Sequence, residues 1–151
     1  MYIATIDENE AEGALQDVYQ AFRPKPGFIP DHTSVFSLRP DVLVAWRAFQ
    51  ASIRKNMRLR RYELVTMAAA QALGCRYCLL AHGAILLENG FSIDQLRAIL
   101  TDYRTAGLEP VEVAAMDFAA RVARNANEIR AADVEGMRAP GHDDAQILDT
   151  T

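Results

Sequence analysis

The sequence has few of the residues that would tie it to nucleic acid, a membrane or a disulfide framework. Its 16 Lys and Arg are outnumbered by 20 Asp and Glu, and a formal net charge of -4 offers no basic surface for a phosphate backbone. The amino terminus lacks a basic segment followed by an apolar one, and no stretch reaches the roughly 18 uninterrupted apolar residues of a membrane-spanning helix. We therefore expect a cytoplasmic protein that binds neither nucleic acid nor membrane.

Cysteine is also scarce, but its placement is informative. The chain has 2 cysteines, Cys75 and Cys78, which lie three positions apart. In a reducing compartment such a pair is more often redox-active or metal-binding than a structural cross-link. Zinc would need four ligands, and besides His82 only His32 and His142 remain, neither at a spacing typical of zinc sites. The sequence favours redox chemistry over a metal site or two inert core cysteines, and predicts no metal and no cofactor.

The pattern of apolar residues predicts an all-α protein. Apolar residues recur at helical spacing, and no segment alternates apolar and polar residues as a half-buried strand does. A chain of 151 residues, 50% of them hydrophobic, can bury one substantial core, so we expect a single domain over 1–151. Residues 1–40 should form an N-terminal helix and an arm containing Pro24, Pro26 and Pro30, and residues 41–151 the helical core. The predicted helices cover 8–22, a segment from Pro40, 60–73, 75–88, 92–100 and 110–127, followed by two short turns.

One predicted hairpin of helices carries the cysteines. The helix over 60–73 is apolar on nearly every side after Glu63, which indicates a central, buried helix. Gly74 is its natural stop, and Cys75 then begins the returning helix. At that position, free backbone N–H groups and the positive end of the helix dipole favour a thiolate over a thiol. The pKa of Cys75 is therefore expected to fall.

Two further residues of the hairpin have side chains suited to proton transfer. His82 is four residues after Cys78 on the same helix face, so these two should meet. Glu63 lies 11 residues before Gly74 and His82 lies 8 after it. In an antiparallel hairpin with about 1.5 Å rise per residue, the two differ by about 4 to 5 Å along the axis, which side chains can close directly or through water. A carboxylate that holds an imidazole, an imidazole that takes a thiol proton and a second thiol can together reduce a peroxide.

A weak internal repeat is visible when the predicted helices are aligned by their caps. The matching segments are 59–63 with 108–112, and Gly90-Phe91-Ser92 with Gly141-His142-Asp143. An offset of 49 places Arg124 and Asn127 where the first copy has its two cysteines. The helical scaffold therefore does not itself require cysteine there, which argues against a purely structural role for the pair.

Glu63, Cys75, Cys78 and His82 together form the pattern E-x11-C-x2-C-x3-H. With the preceding Leu-Arg-Pro-Asp-Val-Leu over 38–43, this pattern resembles the AhpD-like, peroxidase-related branch of the carboxymuconolactone decarboxylase superfamily. The resemblance implies an all-α fold, a homo-oligomer (dimer, trimer or hexamer) and an alkylhydroperoxidase-like antioxidant enzyme. Such an enzyme reduces hydrogen or organic hydroperoxides and is reset by an external dithiol.

The resemblance also implies a role for each residue. Cys78 would form the sulfenic acid, Cys75 would resolve it to a disulfide, and Glu63 and His82 would be the proton relay. The dipole argument alone would choose Cys75 as the better thiolate. We adopt the assignment of Cys78 that the resemblance implies, because the spacing pairs His82 with Cys78.

The sequence departs from the family in two places and leaves rival functions open. Tyr77 stands where the best-known AhpD proteins have a histidine, and the helix expected after Asp144 is short or incomplete compared with relatives. A dithiol sensor or disulfide reductase would use the same residues as a peroxidase. A decarboxylase acting on a muconolactone-like acid is a weaker alternative, because such relatives usually lack the cysteine pair.

Overall fold

The computed structural model describes residues 2–23 and 28–151, and it confirms the all-α prediction: those ranges contain no β-strand. The predicted arm residues Pro24 and Pro26 lie outside the described residues. Across the described ranges, no helix has both the length and the apolar character to cross a membrane. The helices are α1 (Gly13–Phe22), α2 (Asp31–Ser34), α3 (Pro40–Asn56), α4 (Leu59–Ala72), α5 (Arg76–Glu88), α6 (Ile93–Asp102), α7 (Pro110–Asn125), α8 (Ala131–Arg138) and α9 (Asp144–Leu148).

The chain groups into two compact units, Met1–Ser52 and Ile53–Thr151. In the first unit the predicted helix over 8–22 is divided, because Glu8–Glu10 is a 3-10 turn and α1 begins only at Gly13. Gly13 has a φ of 54°, a left-handed conformation that breaks a continuous helix. Tyr19 of α1 is buried, and its O–H donates to the carbonyl of Ile6 over 2.7 Å. This contact holds the N-terminal segment against α1.

In the second unit α4 is the central helix, as the sequence predicts. Its buried residues face two apolar clusters: Leu64 and Met67 pack in one with side chains of α5, α6 and α7, while Val65 packs in the other with side chains of α7, α8 and α9. The run of alanines after Met67 lets neighbouring helices approach closely. A helix buried in this way is a rigid base for any side chain that it carries.

Helices α4 and α7 run in the same direction. Arg60, in the first turn of α4, pairs with Glu112, in the first turn of α7, over 2.5 Å. Ala72 and Arg124, in the last turns of the two helices, line one small cavity. The parallel arrangement agrees with the sequence repeat, in which α4 and α7 are the corresponding helices.

The repeated caps also have the same structure. Gly90 (φ 94°) and Gly141 (φ 116°) each follow a helix in the left-handed conformation. Ser92 then caps α6 by accepting from the Gln95 N–H over 3.1 Å. Asp143 caps α9 by accepting from the Gln146 N–H over 2.8 Å. In each case the glutamine side chain accepts from the backbone N–H of the capping residue, so both are complete capping boxes.

Candidate functional site

The connection between α4 and α5 determines where the four predicted site residues lie. Gly74 has a φ of 68°, and its N–H donates to the Gln71 carbonyl over 3.2 Å. The Cys75 N–H donates to the Ala70 carbonyl over 2.8 Å, which completes a Schellman motif. This tight reversal leaves only Leu73, Gly74 and Cys75 between the two helices. Residues near the start of α4 therefore lie opposite residues in the middle of α5.

Glu63 and His82 are brought into direct contact by this hairpin. Nδ1 of His82 lies 2.6 Å from Oε2 of Glu63. The Glu63 side chain is 0% exposed, while that of His82 is 21% exposed. A carboxylate can only accept, so the Nδ1–H donates to it and Nε2 of a neutral ring is left as the proton acceptor. The pair thus presents one basic nitrogen at a partly exposed position on a buried support.

The second carboxylate oxygen of Glu63 is unusual. Oε1 is buried and has no hydrogen-bond partner among the residues that the structure describes. Leaving a buried acceptor unpaired costs about 1–3 kcal/mol, and more for a charged group. A core position in α4 would be more stable with an apolar side chain, so stability alone does not account for Glu63.

Cys75 is the N-terminal capping residue of α5. Its Sγ accepts from the backbone N–H of Cys78 over 3.4 Å, the role that Ser or Asp plays in other helices. The pKa of Cys75 is lowered, first by the hydrogen bond from the Cys78 thiol and then by that from the Cys78 backbone. The thiolate is therefore more favoured at this sulfur than at an ordinary cysteine.

Cys78 lies one turn further along α5 and has the opposite character. Burial raises its pKa to about 11, with further contributions from donating a hydrogen bond to Cys75 and from the negative charge of the Cys75 thiolate. Both cysteines are present as free, half-buried thiols. The pair is therefore asymmetric, with the more acidic thiol at the helix terminus and the less acidic thiol beside it.

The spacing predicts a contact between the side chains of Cys78 and His82, but the two are not joined by a hydrogen bond. Across the described residues, no hydrogen bond joins His82 to the sulfur of either cysteine. The structure thus contains two close pairs, Cys75 with Cys78 and Glu63 with His82, both on the α4–α5 hairpin. Within the same described ranges, no group of three or more His, Cys, Asp or Glu side chains is placed to hold a metal ion.

Tyr62 is a neighbour of the site that the sequence analysis missed. Its ring is 6.2 Å from the imidazole of His82, and the guanidinium of Arg54 lies over the Tyr62 ring at 4.7 Å. Tyr62 precedes Glu63 by one residue, so the rise per residue places it within about one helical turn of the level of His82. Tyr77, which stands where the resemblance leads us to expect a histidine, is 41% exposed.

Comparison with known proteins agrees with this architecture. Residues 40–121, more than half of the 151-residue chain, match the model of the carboxymuconolactone decarboxylase family. One similar crystal structure is described as an alkylhydroperoxidase AhpD core, an uncharacterized peroxidase-related protein from Ralstonia eutropha JMP134. It has a TM-score of 0.83 and 24% identity, over 98% of this chain and 80% of that chain.

A second similar structure is an uncharacterized peroxidase-related protein from Silicibacter sp. TM1040. It has a TM-score of 0.79 and 25% identity, over 99% of this chain and 82% of that chain. Among curated proteins no match is found. From the family match and the shared fold, the chain belongs to the carboxymuconolactone decarboxylase family and has the AhpD-like fold of its peroxidase-related members.

Proposed function

We propose that the protein is an alkylhydroperoxidase-like enzyme that reduces hydrogen or organic hydroperoxides through a dithiol–disulfide cycle of Cys75 and Cys78. The observation that carries this proposal is the helix-capping thiol pair, in which the Cys75 sulfur accepts a hydrogen bond from the backbone N–H of Cys78 over 3.4 Å. A stabilised thiolate beside a second thiol is what peroxide reduction and disulfide closure require. The similarity to proteins described as peroxidase-related supports the same function.

We further propose that Cys75 is the sulfur that attacks the peroxide. The family resemblance assigns attack to Cys78, but a thiol whose pKa is raised to about 11 is almost entirely protonated near neutral pH. The thiolate, not the thiol, is the nucleophile, and the pKa of Cys75 is lowered. The resting electrostatics thus favour the residue that the helix-dipole argument also chose.

In the proposed cycle the Cys75 thiolate attacks one peroxide oxygen, so that an S–O bond forms as the O–O bond breaks. The peroxide is reduced to an alcohol, or to water from hydrogen peroxide, and Cys75 is oxidised to the sulfenic acid. The Cys78 sulfur then attacks the sulfenic sulfur, a disulfide forms, and water leaves with the Cys78 proton. An external dithiol returns both sulfurs to thiols through a mixed disulfide.

The Glu63–His82 pair would supply the proton that the departing alkoxide needs. When protonated, Nε2 of His82 would donate its proton to the leaving oxygen and would then be reprotonated from solvent. Glu63, 2.6 Å from Nδ1, would hold the tautomer and stabilise the imidazolium. The unpaired buried oxygen of Glu63 fits a residue retained for chemistry rather than for stability.

A dithiol–disulfide reductase is the second candidate, and a specific observation favours it. A lowered pKa at the first cysteine of a CxxC and a raised pKa at the second suit attack on a partner's disulfide as well as on a peroxide. The two functions differ in the oxidised substrate. They share the requirement for both sulfurs.

Steady-state turnover distinguishes the two candidates. Cumene hydroperoxide or hydrogen peroxide would be supplied with dithiothreitol, and consumption compared between the wild type, Cys75→Ser, Cys78→Ser and the double variant. The proposal expects saturable turnover by the wild type and rates at the uncatalysed level for the double variant. Equal rates for these two proteins would reject it. Reduction of a disulfide substrate such as insulin, without hydroperoxide turnover, would favour the reductase.

A further inference from the structure

A groove on the second sequence repeat has the features of a separate binding site. Its volume is about 340 Å³, within the range of small-molecule sites, and it lies on α7, α8 and the turn after α6. Three arginines and two aspartates line it: Arg104, Arg121, Arg124, Asp117 and Asp133. We call it the arginine groove. None of the four redox residues belongs to its lining.

Two of the arginines are held in place by the aspartates. Arg104 pairs with Oδ1 of Asp117, an oxygen that also accepts from the Tyr103 hydroxyl over 2.8 Å. Arg121 pairs with Asp133 over 2.5 Å, and the Asp133 carboxylate also accepts from the Arg130 N–H over 2.8 Å. Both aspartates therefore have a second donor that fixes their position. The walls of the groove are organised without a ligand.

Arg124 differs from the other two arginines of the groove. Within the described residues it has no ion-pair or hydrogen-bond partner, and it lines both the groove and an adjacent cavity of about 140 Å³. An arginine presents five N–H donors in a planar fork, which matches a carboxylate in bidentate fashion. An unpaired guanidinium in the same lining as two fixed ion pairs is a suitable binding group for one negative charge.

Part of the lining of the arginine groove is apolar, and we call this part the floor. It is made by Phe118, which is 5% exposed, together with Ala114 and Ala132. A ligand that satisfies both parts of the groove has one anionic head for Arg124 and a short apolar body for the floor. Inorganic phosphate satisfies only the first part, and a neutral apolar compound only the second.

From these features we propose that the arginine groove binds a small monocarboxylic acid, with Arg124 holding the carboxylate and the Phe118 floor holding the apolar body. In the sequence repeat, Arg124 stands at the position of Cys75 in the first copy. The two repeats would thus carry different sites, a redox site on α4 and α5 and an anion site on α7 and α8. This site is independent of the proposed redox activity.

The test is a titration of the full chain with hexanoate. Binding is monitored by calorimetry and by the backbone amide signals of Ala132 and Gly136 in NMR spectra. The proposal expects saturable binding that shifts these amides, with Arg124→Gln weakening it by about tenfold or more. Arg97→Gln is the matched control, because Arg97 is exposed on α6, pairs with Asp94, and does not line the groove. That variant should bind as the wild type does.

Hexanamide and inorganic phosphate separate the two parts of the ligand, and both should bind at least about tenfold more weakly than hexanoate. The proposal is overturned if hexanoate does not bind, if hexanamide binds equally well, or if Arg124→Gln and Arg97→Gln behave alike. Circular dichroism of both arginine variants checks that neither substitution alters the fold. Repeating the titration with Cys75→Ser/Cys78→Ser should leave the affinity unchanged, so the result does not depend on peroxidase activity.

Discussion

The difference in pKa between Cys75 and Cys78 predicts which sulfur an alkylating reagent modifies first. Burial and the neighbouring thiolate raise the pKa of Cys78 from the ordinary 9.0 to about 11. At pH 8 about one Cys78 in 1,000 would be ionised, against about one in ten for an ordinary thiol. Because the pKa of Cys75 is lowered, its ionised fraction exceeds that of Cys78 by at least about a hundredfold.

The reactivity ratio is smaller than the ratio of ionised fractions. A more basic thiolate is the better nucleophile, with a Brønsted slope of about 0.4–0.5, which gives Cys78 back about a factor of ten. Cys75 should therefore be alkylated about ten times faster than Cys78 at pH 8. The preference should weaken as pH rises towards the pKa of Cys78, because Cys78 then ionises as well.

The assay uses limiting iodoacetamide on the reduced protein, followed by trypsin and mass spectrometry. Arg76 lies between the two cysteines, so trypsin separates them into different peptides and each can be quantified directly. Protein unfolded in urea is the control, since both thiols should then react at similar rates. Equal labelling of the folded protein, or preferential labelling of Cys78, would refute the electrostatic assignment.

Four substitutions test the supports of the site and the repeated caps. Glu63→Gln removes the negative partner of His82 and should lower hydroperoxide turnover by about a hundredfold or more, measured with the helical content by circular dichroism unchanged. Gly74→Ala forces a side chain into a φ of 68° and should lower the free energy of unfolding by about 1 kcal/mol, seen as a fall of about 2–4 °C in Tm. Ser92→Ala and Asp143→Ala each remove a helix cap and should each lower the free energy of unfolding, measured by urea denaturation, by about 1 kcal/mol. An unchanged free energy of unfolding in one of the two variants would contradict the equivalence of the two caps.

The α4–α5 hairpin could be predicted from the sequence because it depends on residues that are close together in the chain. Gly74 ends α4 and the rise per residue then sets which residues lie opposite each other, so Glu63 and His82 could be paired by arithmetic. The position of Cys75 at the start of α5 follows from the same stop. The helix-dipole argument predicted the lowered pKa of Cys75, but the raised pKa of Cys78 needed the structure, because burial is its main cause.

Features that depend on distant segments were not predicted. The arginine groove combines Arg104 from the turn after α6 with side chains of α7 and α8, and no local pattern places these together. The contact of Arg54 with Tyr62 likewise depends on how the end of α3 packs beside α4. The division of the helix over 8–22 was missed because Gly13 adopts a left-handed φ that periodicity does not reveal.

The most direct test of the central claim is a single turnover without reductant. Fully reduced protein is mixed with one equivalent of cumene hydroperoxide, and cumyl alcohol and the intact mass are measured together. The account predicts one alcohol per chain, a mass lower by two hydrogens and a disulfide between Cys75 and Cys78, with sulfenic acid trapped on Cys75 when Cys78 is replaced by serine. Unreacted hydroperoxide with both thiols intact would contradict the peroxidase function, and sulfenic acid on Cys78 alone would reverse the proposed roles of the two sulfurs.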